Sequence, residues 1–193
     1  MKTLTTIAAA VLLCLSTSAR AESTRRSTSS VSSSSSAKLQ LGVDANFGLP
    51  IGNYADVNGF GGGVLLTAEY PVIEALGATA RIGFNYQSDK SIAGVGDMHV
   101  HSIPVLFGVK YYAMPEHQGF FAAAELGLFD LMSSISTTGG SASQNDVKFG
   151  GGLGLGWQMK QWNARVNIHS QDFGNFSDLL MLTAGVGYQF AGF

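Results

Sequence analysis

Residues 39–48 read Leu-Gln-Leu-Gly-Val-Asp-Ala-Asn-Phe-Gly and alternate strictly between apolar side chains and polar or small ones. Successive side chains of a β-strand point to opposite faces, so this stretch predicts a strand with one apolar and one polar face. The pattern recurs seven more times, in residues 60–70, 78–87, 102–111, 120–128, 148–158, 162–169 and 180–190. The sequence therefore predicts an all-β fold with eight strands.

The connections between these strands alternate in length. The connections after the first, third, fifth and seventh strands are long, and they comprise residues 49–58, 88–97, 131–146 and 170–178. Those after the second, fourth and sixth strands are short, and they comprise residues 71–76, 113–118 and 159–161. Strands of this length with long loops at one rim and short periplasmic turns at the other are typical of an antiparallel up-and-down transmembrane β-barrel. An even strand number places both termini on the periplasmic side and the long loops outside the cell.

Aromatic residues gather at the two ends of the apolar face. Near the long connections they are Phe47, Phe60, Tyr86 and Phe149. Near the short connections they are Tyr70, Tyr111, Phe120, Trp157, Trp162, Tyr188 and Phe190. Aromatic girdles at two heights are typical of the two membrane–water interfaces. The apolar face is therefore predicted to contact lipid.

Charged residues within the strands share the opposite, inward face. They are Asp44, Glu69, Arg81, Lys110, Glu125, Lys148 and Arg165. Because an unpaired buried charge is costly, three acids and four bases inside a narrow barrel are predicted to form a mutually neutralising network. A gated polar conduit is the alternative. An eight-stranded barrel is only wide enough for side chains, which favours the structural role.

The first 21 residues have the features of a secretory signal peptide. A mostly apolar stretch, residues 4–15, precedes Ala19-Arg-Ala21, which matches an A-x-A cleavage site. The apolar stretch is shorter than a membrane helix requires, so cleavage between Ala21 and Glu22 is predicted. It would remove Cys14, the only cysteine. No disulfide, thiolate metal site or cysteine nucleophile is then possible.

The remaining chain divides into a tail and a barrel. Residues 22–38 are dominated by serine and have little to bury, so they are predicted to be a disordered lead-in to a barrel over residues 39–193. Charged residues make up 12% of the chain, against a norm of about 25% for soluble domains. Removal of the signal, with Lys2 and Arg20, changes the formal net charge from −2 to −4, which argues against nucleic-acid binding.

A cofactor is not expected. The Gly61–Gly63 and Gly150–Gly152 runs lie within predicted strands and open no helix, so they do not match a phosphate-binding loop. His99 and His101 lie two residues apart on one face, a spacing that can chelate a metal, but only Asp97 is near as a third ligand. No metal site is predicted. Pro104 lies within the fourth strand, where it predicts a bulge or a local irregularity.

Two segments carry a resemblance to a known family. Residues 103–112, Ile-Pro-Val-Leu-Phe-Gly-Val-Lys-Tyr-Tyr, and residues 182–190, Leu-Thr-Ala-Gly-Val-Gly-Tyr-Gln-Phe, resemble strands of the outer-membrane β-barrel domain family, which includes OmpA-, OmpX- and opacity-protein-like small barrels. The resemblance implies an integral outer-membrane monomer that contacts lipopolysaccharide and is inserted by the barrel-assembly machinery. It also implies that an aromatic residue near the C-terminus, Phe190 or Phe193, is read during assembly.

The leading functional hypothesis is a non-enzymatic barrel with a structural, surface-contact or narrow porin-like role. One alternative is a soluble periplasmic calycin-like barrel that binds an apolar ligand, with the apolar face turned inward. The other is a lipid A-modifying hydrolase, because His169-Ser170 resembles the His-x-Ser of lipid A deacylases. Adjacent residues of a strand point to opposite faces, which breaks that motif, and no catalytic residue is predicted.

Overall fold

The computed structural model describes residues 38–92, 96–137, 140–176 and 178–192. The predicted signal peptide, the cleavage position between Ala21 and Glu22, the serine-rich segment up to residue 37 and Phe193 lie outside these residues. The strands are β1 (Gln40–Pro50), β2 (Gly61–Ile73), β3 (Leu76–Gln87), β4 (Lys90–Ile92), β5 (Gly96–Met114), β6 (Gln118–Thr137), β7 (Gly140–Met159), β8 (Trp162–Ser170) and β9 (Leu180–Gly192). A short helix, α1 (Tyr54–Val57), and two 3-10 turns, Pro115–His117 and Phe173–Asn175, lie between them.

The strands pair antiparallel with their neighbours and close on themselves. β1 pairs with β2 on one side and with β9 on the other, which joins the two ends of the sheet. The short β4 pairs with β5 beyond the end of β3, so the closed wall has eight strands. The predicted eight-stranded up-and-down barrel is confirmed. Among the described residues, no helix has the length and apolar character needed to cross a membrane.

Side-chain exposure follows the predicted alternation. In β8, Trp162, Ala164, Val166 and Ile168 are exposed, whereas Asn163, Arg165 and Asn167 are buried. Large apolar side chains on the other strands are likewise exposed, Leu66 and Leu153 by 61% and 65%. The outer wall is therefore apolar and the lumen polar. This arrangement contradicts the soluble calycin-like alternative, which requires the apolar face to be inside.

The third long connection differs from the prediction. Residues 131–146 were predicted to form a loop, but most of them extend β6 and β7 as a hairpin paired as far as Thr137 and Gly140. The segment is rich in serine and lacks apolar alternation. Backbone N–H and C=O groups pair regardless of the side chains they carry, so the ladder continues after the apolar pattern ends. The alternation marks the apolar wall and not the full length of the strands.

Pro104 interrupts one ladder without shifting its register. β3 and β5 pair from Leu76–Tyr111 to Ile82–Val105 and again at Asn85–Ser102, in one unbroken register. The pairing on the other side of Pro104, with Phe129 of β6, is continuous. A proline has no N–H to donate, so the predicted local irregularity at Pro104 takes the form of a gap in the β3–β5 hydrogen bonds. The predicted bulge does not occur, because the register is the same on both sides of the gap.

The inward glycines of β7 give space to the adjacent strands. A Cβ on Gly156 would collide with the ring of Phe121 on β6, and a Cβ on Gly154 would collide with the amide of Asn167 on β8. These large side chains lean along the wall over the glycines. The absent side chains of β7 therefore give space to residues of the two neighbouring strands.

Candidate functional site

The centre of the lumen holds a chain of ion pairs around Arg81. Its Nη2 lies 3.1 Å from Asp44 Oδ2, and its Nη1 lies 2.9 Å from Glu125 Oε2. Arg165 Nη2 contacts the other oxygen of Glu125 at 3.0 Å, and Arg165 Nε donates to Asn167 Oδ1 at 2.8 Å. We call Asp44, Arg81, Glu125 and Arg165 the central ion layer. These four residues are 5–8% exposed, so their charges are neutralised by one another and not by water.

A second charged layer lies nearer the short turns. Glu69 accepts from Lys110 Nζ at 2.9 Å and from the Tyr112 hydroxyl at 2.6 Å, and its Oε1 is 3.3 Å from His117 Nδ1. Lys110 Nζ also lies 4.8 Å from the ring centroid of Phe121. We call Glu69, Lys110, Tyr112 and His117 the lower layer. It places one carboxylate among three donors, which gives every oxygen of the buried acid a partner.

His117 closes the lower layer from a turn rather than from a strand. Its backbone and that of Glu116 have φ values of 54° and 59°, in the left-handed region that side chains rarely adopt. The imidazole stacks on the ring of Tyr112, with centroids 4.6 Å apart, and its Nε2 lies 3.0 Å from the carbonyl oxygen of Ile73. The hydrogen bond to Glu69 raises the pKa of His117. These contacts hold the turn at residues 115–117 against the polar side chains of the lumen.

An apolar layer fills the lumen near the long connections. Tyr54 of α1 is fully buried and packs with Val100, Leu106, Phe129, Leu131 and Met181. Hydrogen bonds hold α1 in place, because Asn58 Oδ1 accepts from Val100 N at 2.9 Å and Asn53 Nδ2 donates to Asp178 Oδ1 at 2.8 Å. Burial raises the pKa of Tyr54 to about 12, so the phenol stays neutral. We call this set the upper plug.

The structure places the predicted charged residues in two environments. Asp44, Glu69, Arg81, Lys110, Glu125 and Arg165 are buried in the two ion layers. Lys148 differs, because its side chain is 33% exposed and pairs with Asp146 at 2.8 Å and Asp172 at 3.6 Å. It has inward parity but lies at the end of the barrel wall, where water and two loop carboxylates reach it. Lys148 therefore belongs to the rim and not to the lumen network.

The layers leave little empty space in the lumen. A cavity of about 30 Å³ lies between Arg81, Glu125, Asn167 and His169, and another of about 10 Å³ lies between the two ion layers. A cavity must measure at least about 10–15 Å³ to hold one water molecule. These spaces are large enough for one or two waters and too small for a hydrated solute.

The candidate catalytic and metal residues do not form a site in the described part of the chain. The Ser170 hydroxyl lies 2.9 Å and 3.1 Å from the carbonyl oxygens of Asp172 and Phe176, whereas His169 stacks on Phe129. Among the described residues, no group of three histidine, cysteine or acidic side chains could hold a metal ion. His101 lies on the outer wall, stacked on Tyr86 with centroids 4.6 Å apart. The side chains of His99 and Asp97 fall outside the description.

The predicted girdle residues lie on the outer wall. Ten of them are exposed, namely Phe47, Phe60, Tyr70, Tyr86, Tyr111, Phe120, Phe149, Trp157, Trp162 and Phe190. Tyr188 is half-buried because its ring packs against Trp162, with centroids 4.8 Å apart. Phe173 and Phe176, in the last long connection, extend this aromatic surface and were not predicted. Tyr54, Tyr112 and His117 were also missed, and only Tyr112 carried a signal, since it shares inward parity with Lys110.

A closed eight-stranded barrel with an apolar, aromatic-banded exterior and ion-paired lumen defines a small transmembrane β-barrel. No protein-family model matches the sequence, and no curated protein matches it. Solved structures do. The chain is similar to Ail, the attachment invasion locus protein of Yersinia pestis, with TM-score 0.57 and 14% identity over 80% of this chain and 99% of that one. The N-terminal β-barrel domain of Pseudomonas aeruginosa OprF has TM-score 0.53 and 13% identity over 78% and 97%. The fold is that of the small outer-membrane barrels, which confirms the resemblance at that level.

Proposed function

We propose that this protein is an integral outer-membrane β-barrel that acts through its outer surfaces and neither conducts solutes nor catalyses a reaction. The observation that carries the proposal is the combination of an apolar outer wall with a lumen filled by the lower layer, the central ion layer and the upper plug. A soluble protein with this wall would expose it to water. A pore would need more space than the cavities of about 30 Å³ and 10 Å³ that the described residues enclose between these layers.

The lengths of the connections support one direction of the barrel in the membrane. The short turns, at residues 74–75, 115–117 and 160–161, face the periplasm in this proposal, and the start of β1 at Gln40 and the end of β9 at Gly192 lie on the same side. The long connections and the extended β6–β7 hairpin face outward. Their role is structural or one of surface contact, and lipopolysaccharide is the lipid that surrounds them. The proposed state is a monomer inserted by the barrel-assembly machinery.

Cell fractionation tests the membrane assignment. Recovery of the protein in the outer-membrane fraction, with heat-sensitive electrophoretic mobility, is the expected result. Recovery in the washed periplasmic extract would refute it. The direction is tested separately by proteolysis of intact cells, where the β6–β7 hairpin is expected to be cut and the turn at 115–117 to be protected.

Planar-bilayer recordings test the closed lumen. The refolded protein is expected to leave the membrane silent, because the two lumen cavities, of about 30 Å³ and 10 Å³, have room for only one or two waters. Steady single-channel currents would support the narrow porin-like alternative.

A further inference from the structure

The outer wall is interrupted by a groove below the connection between β8 and β9. The groove crosses β5, β6, β7 and β8 and has a volume of about 530 Å³. Outward-facing apolar side chains form its walls, among them Phe107, Leu126, Leu153 and Ile168. An apolar cavity of about 150 Å³ is enough to bind benzene. This groove therefore has room for a considerably longer apolar molecule.

Gly151 forms the floor of the groove. It has outward parity on β7 and is buried, although Phe149 and Leu153 on either side of it are 53% and 65% exposed. A Cβ at this position would collide with the carbonyl oxygen of Glu125 and lie 2.7 Å from Leu126 Cδ2. The groove therefore depends on the absence of a side chain at this one position.

Two phenylalanines outside the strands form the upper edge of the groove. Phe173 and Phe176 are 41% and 57% exposed, and their rings stack with centroids 6.2 Å apart. Phe173 also meets Phe149 edge-on at 5.7 Å. A connection at a water-exposed rim has no need of two adjacent exposed phenylalanines. Their position beside the outer wall indicates an apolar occupant.

The connection that carries these phenylalanines is held by its own hydrogen bonds. The Ser170 hydroxyl shares its proton between the carbonyl oxygens of Asp172 and Phe176, and Asp172 Oδ1 accepts from Gly174 N at 2.8 Å. Lys148 lies 3.6 Å from Asp172 and ties the connection to β7. The aromatic edge is thus ordered before any ligand arrives, which lowers the entropy lost on binding.

We propose that this groove holds one acyl chain of the lipopolysaccharide lipid anchor in the outer leaflet, and that this lipid stays bound when the rest of the membrane is removed. The choice of leaflet rests on the proposed function, because the groove lies at the end of the barrel that carries the long connections. The chain lies over Gly151, with Phe173 and Phe176 at the end nearer the headgroup. The ligand class is a saturated lipid chain.

Native mass spectrometry of the protein extracted from outer membranes in mild detergent tests this proposal. The wild type is expected to retain one lipopolysaccharide per barrel. The double variant Phe173→Ala/Phe176→Ala, which changes only a connection, is expected to retain about tenfold less, because the lipid chain loses its van der Waals contacts with two rings that are 41% and 57% exposed. Gly151→Leu fills the floor and is expected to act in the same direction. Ala45→Leu, exposed on the outer wall of β1, which pairs with β2 and β9 and not with a strand that the groove crosses, is the matched control and should retain lipid like the wild type.

Each other outcome overturns a specific part of the proposal. Equal retention by the wild type and the Phe173/Phe176 double variant, or no retention by any of them, removes the groove as a lipid site. Retained phospholipid instead of lipopolysaccharide refutes the outer-leaflet source, and a cross-linked dimer through the groove shows that a second copy is the occupant. All variants are first checked for outer-membrane recovery and heat-sensitive mobility. Failure of that check in the wild type refutes the proposed function, whereas its success with no groove effect refutes this inference alone.

Discussion

Replacement of Arg81 by methionine tests whether the central ion layer stabilises the barrel as its geometry indicates. The substitution keeps an unbranched side chain in the lumen and removes the guanidinium that joins Asp44 at 3.1 Å to Glu125 at 2.9 Å. Glu125 keeps Arg165 at 3.0 Å, but the Asp44 carboxylate loses its ion pair while only 5% exposed. An uncompensated negative charge then remains buried in the lumen.

The expected loss in free energy of unfolding is about 3–5 kcal/mol, the usual consequence of removing one partner of a buried ion pair. This corresponds to about two to four orders of magnitude in the folding equilibrium. The double variant Arg81→Met/Asp44→Leu removes both charges together. It is expected to recover most of the loss, because apolar side chains of similar volume often replace a buried ion pair without penalty.

Urea unfolding in phospholipid vesicles is the assay. Trp157 and Trp162 lie exposed on the outer wall, so their fluorescence reports the transfer from lipid to water. Lys148→Met is the matched control, since it also removes a cation, but from a partly exposed rim pair whose contribution is small. The reasoning is refuted if Arg81→Met is no less stable than Lys148→Met, or if the double variant is as unstable as the single one.

Three further outcomes are expected. His117→Asn removes the imidazolium charge, and asparagine tolerates the left-handed backbone at this position. Because Glu69 raises the pKa of His117, the stability contributed by protonated His117 is complete below its ordinary pKa of about 6.5 and is lost as pH rises through the raised pKa. Wild type and variant should therefore differ more in urea unfolding at acidic pH than at alkaline pH, and a constant difference would contradict this. Tyr54→Ala opens the upper plug, yet bilayers should stay silent because both ion layers remain, and stable currents would show that the plug alone closes the barrel. Gly156→Val places a side chain where the Phe121 ring lies and should sharply reduce refolding yield, whereas Gly156→Val/Phe121→Ala should restore part of it.

The barrel could be predicted because the sequence pattern that specifies its strands is local. Alternation of apolar and polar residues along each segment determines which face meets lipid, and no knowledge of the partner strands is needed. The same parity placed Asp44, Arg81 and Glu125 inside, where the structure has them. It also placed Lys148 inside, because parity gives the direction of a side chain and not its height along the barrel.

Other features depend on the register of closure and on the connections. The pairing of β1 with β9 and the tilt of each strand against its neighbours determine which acid contacts which base. Arg81 thus contacts Glu125, which lies 44 residues away in the sequence. The upper plug and the closing His117 come from α1 and from a turn, where no periodic pattern exists to indicate an inward side chain. The groove over Gly151 arises where strand residues meet a folded connection.

The sequence by itself determined the strand number and the two faces of the sheet, because the alternation that marks them recurs at every second residue of every strand. It did not determine the length of the third connection, since most of residues 131–146 extend β6 and β7. Only the tertiary structure decided that the lumen is closed in three layers, that Lys148 stays at the rim and that the β8–β9 connection turns two phenylalanines to the outer wall. Those outcomes depend on distances between residues far apart in the chain. Such distances are set only when the sheet has closed on itself.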